Sequence, residues 1–194
     1  MAGTDFRFRK RAVRSLTPKI GVYILCDLDN TPIYVGQSVD GIRKRVGRHL
    51  TSARSDIIAN RQLDVWEVAY VHTFPVRSRR EIAPLESKLY HHYHRRSRLM
   101  NGTRPPKLSG GLRTLPKPEQ IVQVMSDAEI RERRDYAQRL PRQAEHYAQI
   151  VSHFLTVKNS RQIAQAMDAH FQRLQTYHGR LLGLAADESE DSGE

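Results

Sequence analysis

Two short apolar runs constrain this chain more than any other feature. Gly21-Val22-Tyr23 lies in the first and Tyr34-Val35-Gly36 closes the second, with ten residues between the two tyrosines. Both runs, 20–26 and 33–35, are rich in β-branched and aromatic residues, which suit a pleated, half-buried surface. Between them stand Asp27, Leu28, Asp29, Asn30, Thr31 and Pro32, a stretch dominated by turn-forming types. The spacing predicts a β-hairpin. Side chains alternate across a strand, so whether Tyr23 and Tyr34 share a face depends on register. A two-residue turn at Leu28-Asp29 sets them directly opposite. One at Asp29-Asn30 shifts the pairing by two and keeps them on one face, and the three-residue-loop registers in between would separate them.

Beyond the hairpin, Ile42, Val46, Leu50 and Ala53 recur every three or four residues and predict an amphipathic helix from about Asp40 to Ser55. The stretch from Leu63 to Phe74 reads as a third strand, with Trp66 in the core. Leu85, Leu89 and Tyr93 stripe a second helix; Pro84 fits its first position, where a missing N–H costs nothing, and that puts Glu86 in the first turn. The order β-β-α-β-α describes a small α/β (α+β) module over residues 18–104. Arg45 and His49 are four apart and stack on one side of the first helix, bordering Val46 and Leu50. Glu86 borders the second stripe beside Leu85. Two tyrosines, an arginine, a histidine and a carboxylate can therefore converge at a sheet surface.

Residues 1–17 form a basic arm in which Arg7, Arg9, Lys10, Arg11 and Arg14 interleave with Phe6 and Phe8. It can follow a phosphate backbone or dock through its two rings. Residues 105–118 are a Pro- and Gly-rich linker. From 119 to 184 the pattern is helical: Ser126 and Glu129 make a capping box, Tyr147, Val151 and Phe154 stripe one helix, and Ile163, Met167, Phe171, Leu174 and Leu181 stripe another. Residues 185–194 are acidic, and a disordered tail is expected there.

Lys and Arg number 32 against 21 Asp and Glu, a formal +11; the tail holds five of the acids, so residues 1–186 carry +16. A field of that sign attracts polyanions, nucleic acid first among them. The single cysteine, Cys26, excludes an intramolecular disulfide and a cysteine-rich zinc module, and its apolar setting suits a buried hydrophobe. The longest apolar run is far too short to span a bilayer and no secretory segment follows the basic start, so no membrane association and a cytoplasmic location are expected. His91, His92 and His94 do not fall on one helical face and fit a basic surface with Arg95, Arg96 and Arg98 better than a metal site.

The ordered set of motifs resembles the GIY-YIG nuclease family. Gly21-Val22-Tyr23 and Tyr34-Val35-Gly36 resemble its two tripeptides, each with an Ile–Val interchange. The run from Lys44 to His49 resembles its catalytic helix, Glu86 its metal carboxylate and Asn101 its later asparagine. Gln37 follows Gly36 where several members carry lysine, so no lysine role transfers. The resemblance implies a three-stranded antiparallel sheet flanked by helices. It also implies a metal-dependent DNA endonuclease that uses one Mg²⁺ or Mn²⁺ per site, held by Glu86. Catalytic roles fall to Tyr23, Tyr34, Arg45, His49, Glu86 and Asn101, and DNA contacts to Arg7, Arg9, Lys10, Arg11, Lys44 and Arg48. A restriction-type enzyme is the leading expectation. A structure-selective repair or recombination nuclease and a catalytically inactive DNA-binding module are the alternatives. The apolar stripe 163–181 must be buried, either on the nuclease module or against a second protomer in a homodimer.

Overall fold

The computed structural model describes residues 6–51, 55–107 and 114–184. The acidic tail, the first five residues of the basic arm, Ala53 and the middle of the Pro/Gly segment lie outside the described residues. Four strands form one antiparallel sheet in the order β2-β1-β3-β4: β1 is Gly21–Cys26, β2 Pro32–Ser38, β3 Tyr70–Pro75 and β4 Gln120–Gln123. The expected three strands thus become four. The fourth, Gln-Ile-Val-Gln, falls where the sequence reads as the start of a helical region; at four residues it is too short for periodicity to register. The third strand is also shorter than expected, because residues 63–69 form turns that cross the end of the sheet. Trp66 lies in those turns, half-buried beneath the guanidinium groups of Arg9 and Arg133 rather than in a strand.

All six residues of β1 are buried because helices cover both faces of the sheet there. On one face Tyr23, Leu25 and Val71 pack with Ile42, Val46 and Leu50 of α2 (Ile42–Thr51) and Val13 of α1 (Phe6–Ser15). On the other, Val22, Ile24, Cys26, Val35 and Phe74 pack with Ile82, Leu85 and Leu89 of α4 (Ile82–His94). A short helix, α3 (Asp56–Ala59), follows α2. The expected arm is α1, a docked helix. Its Arg9 is 2% exposed and donates to the carbonyls of Val65 (3.0 Å), Val68 (3.2 Å) and Val124 (3.3 Å), closing the end of the sheet that the turns leave open. Cys26 is buried, and desolvation pushes its thiol well above the usual range.

The C-terminal helices are α5 (Asp127–Arg134), opened by the expected Ser126–Glu129 capping box, then α6 (Tyr136–Thr156) and α7 (Arg161–Leu181), which pack together as a pair. They dock onto the sheet module, only in part through the expected apolar stripe. Ile163 is buried and Met167 and Leu174 are half-buried, whereas Phe171 and Leu181 are exposed; the inward face of α7 runs through Ile163, Ala166, Ala169, His170 and Tyr177. The inward face of α6 is polar, with Arg139 fully buried. That guanidinium donates to Glu67 Oε1 (2.6 Å) and Tyr177 Oη (3.0 Å) and pairs with Asp27 (3.2 Å) and Asp29. Arg142 adds Asp64 (2.7 Å) and Glu67 (2.8 Å), and Arg173 of α7 pairs with Asp27. Hydrophobic periodicity misses such an interface because its specificity is ionic.

Replacing Arg139 by Ala would leave Asp27 and Glu67 buried with one cation each, Arg173 and Arg142. Breaking a buried pair from one side costs at most about 3–5 kcal/mol where other cations remain. Urea denaturation followed by circular dichroism should show a loss of that order; a loss under about 1 kcal/mol would mean that the helical pair is not held by this network.

Candidate active site

The hairpin register is Tyr23↔Gly36 and Leu25↔Tyr34, with a bulge between Leu25 and Cys26. The strand pairing is the one an Asp29-Asn30 turn would give, with both tyrosines on a single face, here the face covered by α2. The turn itself is a three-residue loop, in which Asp27 N donates to Thr31 O (2.9 Å), Asn30 N donates to Asp27 O (3.0 Å) and Asn30 takes the left-handed conformation (φ 58°); the bulge supplies the one-residue shift that returns the tyrosines to one face. Asp27 Oδ1 fixes the turn by accepting from the backbone N–H groups of Asp29 and Thr31, both at 2.9 Å. The ring centroids of Tyr23 and Tyr34 lie 6.4 Å apart.

Gly36 is the reason the two rings can lie so. A Cβ there would stand 2.5 Å from Cζ of Tyr23 and 2.8 Å from Cε1 of Tyr34, distances that real Cβ atoms do not show. The glycine of the second motif is therefore a space requirement. Gly21 meets a different one: its φ of +152° and the Phe74 carbonyl pressed against it exclude a side chain.

Four positions after Arg45, α2 delivers His49 into the same pocket. Its Nε2 lies 2.8 Å from Tyr23 Oη and its Nδ1 lies 2.7 Å from Ser55 Oγ; Tyr23, His49 and Ser55 are all fully buried. Tyr34 meets His49 edge-on at 6.2 Å and is only partly buried. In a neutral imidazole one nitrogen donates and the other accepts, so the tautomer with its proton on Nδ1, facing Ser55, leaves Nε2 to accept from the Tyr23 hydroxyl. Ser55 is the residue the sequence reading missed as part of the site. It stands six positions beyond His49, after the end of α2, where neither helical nor strand periodicity applies. Arg45 is half-buried on the same helix, Lys44 is exposed and Arg48 half-buried.

Glu86 is placed differently from the expectation. α4 begins at Ile82 after a short 3₁₀ turn, Arg79–Glu81, capped by Ser78, so Pro84 is its third residue and Glu86 lies beyond the first three. α4 also covers the sheet face opposite to Tyr23, Tyr34 and His49. The carboxylate and the tyrosines do not share one sheet surface, and the short way between the two faces runs round the edge strand β2. Among the described residues Glu86 has no hydrogen bond or ion pair. Its half-burial, with no neighbouring charge to offset it, pushes its pKa up to about 7.

The side chain of Asn101 is engaged by the fold rather than turned to the catalytic pocket. Its amide accepts from Val35 N (3.1 Å) and donates to Val35 O (2.6 Å), so both ends are occupied on the edge of β2, where it takes the place of a neighbouring strand residue. Arg9 is 2% exposed and its guanidinium is spent on backbone carbonyls, so it is not presented to DNA, while Arg7, Lys10 and Arg11 are exposed on α1. Among the described residues no group of three or more His, Cys, Asp or Glu side chains is placed to hold a metal, and no helix is long and apolar enough to cross a membrane.

Residues 19–100 match the family model described as the GIY-YIG catalytic domain. That stretch of the chain is a domain of the GIY-YIG family, whose catalytic domain is a nuclease domain acting on DNA. No curated protein and no solved structure matches the chain.

A carboxyl whose pKa the fold raises is destabilising once ionised. At a pH below the ordinary glutamate value, about 4.3, Glu86 is neutral folded and unfolded and contributes nothing. As pH rises towards about 7 the unfolded chain ionises first and stability falls. Glu86→Gln should therefore be more stable than the parent at pH 8, with a gain that shrinks towards pH 5. Urea midpoints at the two pH values check this, and an equal gain at both would contradict the desolvated carboxylate.

Proposed function

We propose that the chain is a metal-dependent DNA endonuclease that hydrolyses phosphodiester bonds at the Tyr23–His49 site. The observation that carries this reading is the buried hydrogen-bonded series Tyr23, His49, Ser55. A buried phenol needs a hydrogen-bond partner whatever its role; a histidine partner whose far nitrogen is held by a hydroxyl makes the series a proton-accepting device as well.

In the proposed reaction Tyr23 takes a proton from the attacking water while passing its own to Nε2 of His49. Ser55 Oγ holds the Nδ1 proton, so that Nε2 is the bare nitrogen at the start. Tyr34, less buried and packed edge-on to His49, orients the water or a phosphate oxygen. Arg45 provides a fixed positive charge for the oxygens that gain charge in the transition state. Glu86 suits a hard divalent cation, because it is an oxygen donor without a protein partner among the described residues and Mg²⁺ keeps several of its waters, needing few carboxylates. It would hold one Mg²⁺ or Mn²⁺, which when bound supplies Lewis-acid stabilisation of the leaving oxygen. Within this class a restriction-type enzyme is the reading carried forward, and it requires discrete fragments from plasmid DNA rather than a smear.

Plasmid DNA incubated with the protein and Mg²⁺ should be cut, and Arg45→Ala should slow the cut by about 10²–10³. Glu86→Ala, or a chelator, should abolish cutting while DNA affinity stays within a few-fold. Undiminished cutting by Glu86→Ala or in chelator would end the metal-dependent reading. Loss of the Ser55 hydrogen bond, valued at about 1 kcal/mol, should lower kcat by up to about tenfold in Ser55→Ala at unchanged KM. It should also move the acid limb of the pH profile, and Ser55→Thr should restore both. A Ser55→Ala enzyme with an unaltered kcat and profile would show that the serine only fills space.

A further inference from the structure

The C-terminal helices take no part in the chemistry above, yet with the end of α4 they build a second site. An open cleft of about 1200 Å³ runs between residues 94–98, the hairpin turn and α7. Arg95, Arg96 and Arg98 line one side; Arg180 and the ring of Tyr136 line the other. The acids that reach the cleft, Asp27 and Asp29, are already matched by Arg139, Arg173 and Arg134. Arg95 and Arg96 are exposed and touch no carboxylate among the described residues. Among the described residues Arg98 bonds His94 (3.4 Å), and Arg180 donates to Tyr136 Oη (2.6 Å). Their charge is felt locally: after burial, Arg96 and Arg95 are what push the His92 imidazole below its usual range. Four guanidinium groups therefore stand around a cleft whose acids are matched from behind.

The location adds direction. Thr31, the residue before the edge strand β2, lines the cleft, and Tyr34 lies three residues further along. At about 3.3 Å per residue this is about 10 Å, the axial span of roughly three phosphates of one DNA strand. Planar guanidinium groups bind phosphate oxygens in bidentate fashion, and the tyrosine ring offers a surface for sugar or base.

We propose that this cleft binds the phosphodiester backbone of the substrate DNA on one side of the cut, so that the end of α4 and the helix α7 form the two walls of a DNA-binding groove. The direction relative to the cut rests on the nuclease reading above; the binding itself does not.

The test is equilibrium binding of a fluorescent duplex of about three helical turns in chelator, as a function of salt, to the full chain and to Arg95→Ala/Arg96→Ala. Each phosphate that a side chain ceases to neutralise takes about 0.9 from the slope of log K against log salt, so the slope should fall by about 1.8 and affinity by roughly tenfold or more near 0.1 M salt. Arg95→Lys/Arg96→Lys should recover most of both, because charge is kept. Both residues are exposed, and circular dichroism confirms that the variants fold. Unchanged affinity and slope in the double alanine variant would overturn the proposal. So would a weakening that the lysine variant does not recover. If the chain binds DNA through these arginines yet never cuts it with Mg²⁺, the groove stands and the nuclease reading falls. If it cuts DNA and the double alanine variant binds as tightly as the parent, the reverse holds.

Discussion

One carboxylate, Asp27, holds together parts of the molecule that are far apart in sequence. Its Oδ1 accepts the two backbone N–H groups that shape the hairpin turn, and its Oδ2 receives Arg139 from α6 and Arg173 from α7. The turn sets the register, the register puts Tyr23 and Tyr34 on one face, and that face is where His49 arrives. The same side chain that decides the geometry of the tyrosines thus fastens the helical pair to the sheet. Burying it at 1% exposure is tolerable only because two guanidinium groups and two N–H groups surround it. Glu67, equally buried, is held in the same way by Arg139, Arg142 and the Tyr177 hydroxyl.

The hairpin, the helix carrying Arg45 and His49, and the helix carrying Glu86 were legible in the sequence because each has a strong period or a strong turn signal. The shared face of the tyrosines was legible only as one of several registers; the side-chain bonds of Asp27 that select it are not a property of any local window. β4 escaped because four residues carry no period. Residues 63–69 read as strand from their Val and Trp content, but they run in turns whose Val65 and Val68 carbonyls accept from Arg9, with the Trp66 ring against its guanidinium. Docking of α6 and α7 on the sheet module is one of the two placements the sequence allows, but its ionic centre escaped for a physical reason: a stripe search looks for apolar side chains, and this interface is centred on arginine, aspartate and glutamate.

The site divides along the same line. Types and spacings pointed to Tyr23, Tyr34, Arg45, His49 and Glu86, but not to which side of the sheet each would occupy. Glu86 lies on a helix that covers the other face, so the carboxylate and the tyrosines are separated by the thickness of the sheet except at its edge. Ser55 could not be found by pattern at all. A single hydroxyl against an imidazole nitrogen is a tertiary contact, and its meaning depends on the Tyr23 phenol bonded to the ring's other nitrogen.

Asn101 shows how a residue of functional type can serve the fold. β2 is an edge strand, and an open edge presents backbone donors and acceptors to any passing extended chain. The primary amide of Asn101 offers one donor and one acceptor with the spacing of a peptide group and uses both on Val35. The strand is thereby closed to pairing at its middle, next to the second tyrosine, without a further strand to cover it. The edge of the sheet beside the second tyrosine is in this way kept from recruiting a neighbouring protein's strand.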